Sequence, residues 1–143
     1  MNNKIFDIFK SKDKKRFEYI IKLIDANNFE KLYDERIIER DFGEFEGMET
    51  KNFDFHGYWN YYKNMQFESA ENIQIFFKRV YDFLEDITEK YSDKNVLLVA
   101  HGGISIPVAC FFSGNIPEGS LVDAGLVLGN CQVASYTTDS KIK

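Results

Sequence analysis

A chain of 143 residues suits a single domain spanning residues 1–143, and a domain of this length buries roughly 68–70% of its unfolded surface; 44% hydrophobic residues, with 14 Phe and 8 Tyr, argue for a packed globule over disorder. A net charge of −5 excludes a general nucleic-acid-binding surface, so an anionic ligand has to meet a local cluster. Cys110 and Cys131 have neither CxxC nor zinc-type spacing, and the N-terminus shows neither a signal-like apolar core nor a run of ~18 apolar residues; the expectation is a cytoplasmic protein with no membrane association and no metal or other cofactor.

In chain order, KIFDIF from residue 4 reads as a short strand, and KKRFEYIIKLIDANN carries Phe17, Ile20, Ile21 and Ile24 at helical spacing before an Asn-Asn stop. The next forty residues, from Phe29 to Glu68, are aromatic and charged with scattered glycines and weak periodicity. A connection of that length is usually functional or a lid, although core packing explains its aromatic residues equally well. From Ser69, a candidate N-cap, the stripe Ile73, Phe77, Val80, Leu84, Ile87 and Tyr91 predicts a long amphipathic helix. KNVLLVA is continuously apolar, as a parallel strand buried on both faces would be. Ser105 then offers a cap for a helix with Pro107 in its first turn, and NCQVASYT, from Asn130, reads as a last strand. Alternating elements of this kind predict an α/β fold of three layers, α/β/α, with a mostly parallel sheet.

Two segments carry chemistry. In NVLLVAHGGIS, His101 stands at the carboxyl end of the most apolar strand, where open α/β sheets bind ligands, and the following glycines allow a sharp turn and close approach of a ligand at a helix N-terminus. A satisfied buried histidine beside a tight turn is the competing explanation. In IIERDFGEFEG, Glu39, Arg40, Asp41, Glu44 and Glu46 crowd one loop with Gly43 and Gly47 as breaks. A solvated charged surface would have the same composition, but Phe42 and Phe45 interrupt the charges, and aromatic neighbours are one way to raise a carboxyl toward proton-donor range.

These residues resemble a known family. Glu39, Arg40, Gly43, Phe45, Glu46 and Gly47 are similar to the LxExxxGxWEG segment of the histidine phosphatase superfamily, the phosphoglycerate-mutase-like group, with phenylalanine in place of tryptophan. FESAENIQIFFKRVYDFL resembles that family's GES and following helix with its internal arginine, Arg79, although Phe67 replaces the glycine. VLLVAHGGIS resembles the second histidine motif, and GNCQVASYTTD the last strand, with Asn130 as its asparagine.

The resemblance implies a phosphoglycerate-mutase-like fold and a pocket for a phosphorylated small molecule. By the same resemblance, Glu39 is the proton donor to the leaving oxygen, His101 the second, phosphate-holding histidine, and Arg40 a contact to the substrate; Gly102 permits close approach. A second phosphate-binding arginine is expected at Arg16, although a one-residue offset leaves Lys15 as an alternative, and lysine lacks the planar fork. The family's nucleophile lies in an Arg-His-Gly motif that occurs nowhere in these 143 residues. The other histidine, His56 in FDFHGYW, follows no strand and is read as packing among Phe55, Tyr58 and Trp59 or lining a pocket rim.

The expectation is therefore a fold truncated at its N-terminus, with phosphatase activity impaired or lost. The alternatives are a phospho-ligand-binding module without catalysis and an active phosphatase completed by another segment. A missing neighbour strand would also leave an apolar sheet edge, for which the expectation is self-association into a homo-oligomer through that edge, a rearranged sheet, or a chain that is a fragment of a longer polypeptide.

Overall fold

The computed structural model describes residues 4–7, 22 and 30–138. Three short strands build its sheet: β1 (Lys4–Asp7), β2 (Glu30–Leu32) and β3 (Val96–Val99), in the order β2-β1-β3 with both pairings parallel. Lys4 faces Glu30 on one side and Val96 on the other, and Asp7 faces Val99. The parallel sheet expected from the sequence is present. β2 was not foreseen, because three residues, two of them charged, are too few to show a period. The predicted helix over residues 14–28 lies outside the described residues except for Lys22, which is helical.

Between β2 and the long helix the chain is mostly a series of tight turns. Three 3-10 turns, Glu35–Ile37, Gly43–Phe45 and Thr50–Asn52, precede the one-turn helix α1 (Phe55–Tyr58). Their aromatic side chains form a connected cluster. Phe45 stacks on Phe53 with ring centroids 4.5 Å apart, Phe42 lies 5.0 Å from Tyr58, and Phe67 meets both Phe45 and Tyr58. Tyr58 and Trp59 are buried outright, so this part of the stretch is core.

The helix α2 (Ile73–Lys90) follows from its stripe: Ile73, Phe76, Phe77, Val80, Phe83 and Leu84 are buried, each contributing about 1.5–3 kcal/mol relative to exposure. Its cap is Asn72, not Ser69. Asn72 Oδ1 accepts from the backbone N–H groups of Gln74 and Ile75 at 2.9 and 3.2 Å, satisfying two donors that the first turn leaves free. α2 packs on α3 (Ser105–Ser113), whose Ser105, Ile106, Pro107, Val108, Cys110 and Phe111 are all buried, as in a helix surrounded by core. Ile37, Tyr58, Trp59, Ile104 and Leu121 complete the core. Gly114 ends α3 in the left-handed region at φ 68°.

Two expectations are corrected. β3 is not covered on both faces: Val96 and Leu98 pack against the core, whereas Leu97, on the alternate face, is 45% exposed. Residues 130–137, read as a strand, are exposed and outside any ladder; alternation of side chains makes a strand only where a neighbouring edge supplies hydrogen bonds, and none of the described strands pairs with this segment. Among the described residues, no helix is long and apolar enough to cross a membrane.

Candidate functional site

β3 delivers His101 to the carboxyl end of the sheet. His101 is half-buried with extended backbone (φ −69°, ψ 158°), and the 3-10 turn Gly102–Ile104 carries the chain from it directly into α3. Ser105 fastens this turn. Its hydroxyl shares its one proton between the carbonyl oxygens of Gly102 and Leu126 and accepts from the Leu128 N–H at 2.9 Å, tying the His101 turn to the segment over residues 126–128. Ser105 is the first residue of the helix, and its side chain makes this tie in place of the N-cap bond expected of it.

Glu39 arrives from the charged loop over residues 37–47. The Gly103 N–H donates to Glu39 Oε2 at 3.0 Å across 64 residues of sequence, and the Arg40 N–H donates to Oε1 at 2.8 Å. A Cβ at Gly103 would overlap this carboxylate. The second glycine is therefore needed for an internal acid. Gly102 has more room, since a Cβ there would stand 3.1 Å from the Leu128 carbonyl oxygen.

The acid loop is held from below by two arginines. Arg40 is 1% exposed: Nε and Nη2 donate to the Glu71 carbonyl at 2.9 and 2.8 Å, Nη1 donates to the Tyr58 carbonyl, and the guanidinium lies 3.5 Å over the Tyr58 ring. Desolvation pushes its pKa down to about 10. Arg40, read from the sequence as a substrate contact, has these donors directed at backbone carbonyls inside the core, where they hold the loop. Arg79 forms two bonds to the Glu71 carboxylate, Nε to Oε1 at 2.7 Å and Nη2 to Oε2 at 2.9 Å, and reaches the carbonyls of Arg36 and Glu39. Glu71 returns to the loop through its own N–H, which donates to the Asp41 carbonyl at 2.9 Å. Gly43, at φ 46°, presses against the Ser69–Ala70 backbone, where no side chain fits.

Of the residues singled out from the sequence, Glu39, His101 and Gly102 meet at one turn. Arg40 turns away, and Arg16, like Lys15, lies outside the described residues. Of Phe55, Tyr58 and Trp59, His56 meets Phe55 edge-on at 6.1 Å; its side chain is otherwise exposed, with Nδ1 2.8 Å from Asp123 Oδ2. Glu71 received no role in the sequence reading, and its signal was faint: an acid eight residues before Arg79, across the start of a helix. Phe42 and Phe45, expected beside the acid, pack into the Tyr58 cluster.

The model of the histidine phosphatase superfamily (branch 1) matches residues 6–141. The chain belongs to this family. Two curated relatives from Hydrogenobacter thermophilus (strain DSM 6534 / IAM 12695 / TK-6) are similar to it: "Putative phosphoserine phosphatase 2", 28% identical over 120 residues, covering 80% of this chain and 59% of the relative, and "Phosphoserine phosphatase 1", 26% identical over 100 residues, covering 66% and 47%. The chain therefore spans about half to three fifths of the length of these relatives. Among solved structures, "Bacillus stearothermophilus YhfR" superposes with a TM-score of 0.62 at 19% identity, over 82% of this chain and 59% of that one. The family and this superposition give the fold as phosphoglycerate-mutase-like, although the described part of the sheet is small.

Proposed function

We propose that the turn His101–Gly103 and the Glu39 carboxyl form the acid side of a phosphomonoester site. One contact carries the reading: the Gly103 N–H bonded to Glu39 Oε2 brings a carboxyl group to the end of the strand that presents His101. Each carboxyl oxygen of Glu39 accepts one backbone N–H, which fixes the group's orientation and leaves a lone pair on each oxygen. In hydrolysis, a water oxygen bonds to phosphorus as the bridging bond breaks; a proton carried on Glu39 passes to the bridging oxygen, which leaves as the alcohol, and the proton that the water gives up restores the Glu39 carboxyl. His101 holds the non-bridging oxygens, where positive charge counts most in phosphoryl transfer. Phosphoserine is the first substrate to test, because two relatives carry that name.

A covalent route needs an attacking group, and neither His56 nor His101 stands in an Arg-His-Gly context. The 143-residue chain is accordingly proposed to bind phosphomonoesters and turn them over poorly. The test is calorimetric titration with inorganic phosphate and with phosphoserine, with turnover measured in parallel. His101→Ala is expected to weaken phosphate binding about tenfold or more, equivalent to about 1.4 kcal/mol. Glu39→Gln is expected to leave phosphate affinity within about threefold while lowering whatever turnover exists. Unchanged phosphate affinity in His101→Ala would overturn the reading. Brisk phosphoserine turnover, abolished by both changes, would instead favour an active phosphatase.

A further inference from the structure

We propose that Glu71 and Arg79 are positioning residues for the Glu39 carboxyl. Four observations converge. The Arg79 guanidinium meets the Glu71 carboxylate through two parallel bonds, at 2.7 and 2.9 Å, with side chains only 22% and 15% exposed. The other donors of the same guanidinium reach the carbonyls of Arg36 at 2.6 Å and Glu39 at 3.3 Å, so it grips the strand of chain leading into the acid. The Glu71 carbonyl accepts two of the three guanidinium bonds of Arg40, and the Glu71 N–H donates to the Asp41 carbonyl, so the partner of Arg79 grips the chain leaving the acid. The Asp41 N–H closes the circuit on Glu71 Oε2 at 3.2 Å.

Residues 36, 39, 40 and 41 are thus referred to a single ion pair at the head of α2, and Glu39 sits between the two grips. A shielded ion pair is a poor source of stability compared with apolar packing, because desolvation offsets its attraction; the forked geometry of arginine on a carboxylate does fix direction. Direction is what the Glu39 side chain needs to reach Gly103. The catalytic meaning of this clasp rests on the reading of Glu39 as the site's acid, whereas its geometric effect does not.

The Gly103 amide reports on that effect, because its N–H is bonded to the Glu39 carboxylate. In ¹⁵N-labelled protein taken from about pH 3 to pH 8, across the carboxylate range, the Gly103 amide is expected to follow the ionisation of Glu39 and to lose that titration in Glu39→Gln. In Arg79→Lys, which keeps the charge without the fork, and in Glu71→Gln, the amplitude is expected to fall by at least half. The Gly114 amide, bonded to the Cys110 carbonyl at 3.0 Å within α3, is expected not to move and serves as the check on folding. If Glu71→Gln fails to fold, Arg79→Lys decides alone. A wild-type Gly103 titration in Arg79→Lys overturns the proposal, as does a Gly103 amide that ignores pH in the unsubstituted protein. Failure of the functional reading registers separately, as unchanged phosphate affinity in His101→Ala.

Discussion

At the scale of single residues, Gly103 bears the most specific constraint in the site. Gly→Ala at a compatible backbone usually stabilises by about 0.4–1 kcal/mol through the unfolded chain, and Gly103 does not need a positive φ. Here the added methyl would displace the Glu39 carboxylate and break a charge-assisted bond worth about 1.5–3 kcal/mol, so the penalty should win. Urea unfolding of Gly103→Ala is expected to show a net loss of about 1–2 kcal/mol. Gly102→Ala, whose added methyl would stand 3.1 Å from the Leu128 carbonyl oxygen and touch no carboxylate, should lose less. A Gly103→Ala protein more stable than the parent would mean that the carboxylate does not rest on this turn. Glu39 and His101 were conspicuous in the sequence because few residue types do the chemistry proposed for them. The arginines were not: Arg40 and Arg79 look alike as letters, and what separates them is Glu71 and Tyr58, placed by the fold.

Among elements, α2 was the most legible, since six buried apolar side chains repeat at helical spacing whatever lies around them. Its start was misjudged by three residues because Ser69 and Asn72 are both good caps in isolation. The choice was made by Gly43, whose contact with the Ser69–Ala70 backbone holds that stretch outside the helix. Asn72 also donates to Asn64 Oδ1 at 2.6 Å, anchoring the cap to the preceding turn. Asn72→Ala is therefore expected to cost about 1–2 kcal/mol in chemical unfolding, and Ser69→Ala, at an exposed position, less than about 0.5 kcal/mol. Equal losses would return the cap to Ser69. The strands were harder to read. β2 has too few residues for a pattern, and residues 130–137 have the pattern without the pairing, because a ladder belongs to two segments and sequence displays one at a time.

For the molecule as a whole, the packing of α2 on α3 puts ionisable groups into the same apolar interior, and their responses to alkali differ in sign. Burial pushes the Cys110 thiol up from 9.0 to about 11 and raises Tyr58 and Tyr81 above their ordinary 10.0. In each case the unfolded chain ionises first, so stability present below the unfolded pKa is lost as pH climbs toward the folded one. Arg40 runs the other way: lowered from 12.5 to about 10, it releases its proton in the folded state before the unfolded chain does, and so adds stability from about pH 10 upward. Between about pH 9 and 10, then, Cys110 carries the largest part of the loss, because its unfolded value of 9.0 is the lowest of the four; the unfolded tyrosines at 10.0 contribute less, and Arg40 opposes them. The full two-unit gap corresponds to about 2.7 kcal/mol at 1.36 kcal/mol per unit, of which roughly 1 kcal/mol falls in this first interval. Thermal unfolding under reducing conditions is expected to show Tm dropping by a few degrees from pH 9 to pH 10. Cys110→Ala, though less stable overall because it leaves a small cavity, is expected to show a clearly shallower decline of Tm across that interval, the remainder coming from the tyrosines less the opposing Arg40. An equal slope in both proteins would place the thiol in contact with water, and with it the face of α3 that the packing against α2 is meant to seal.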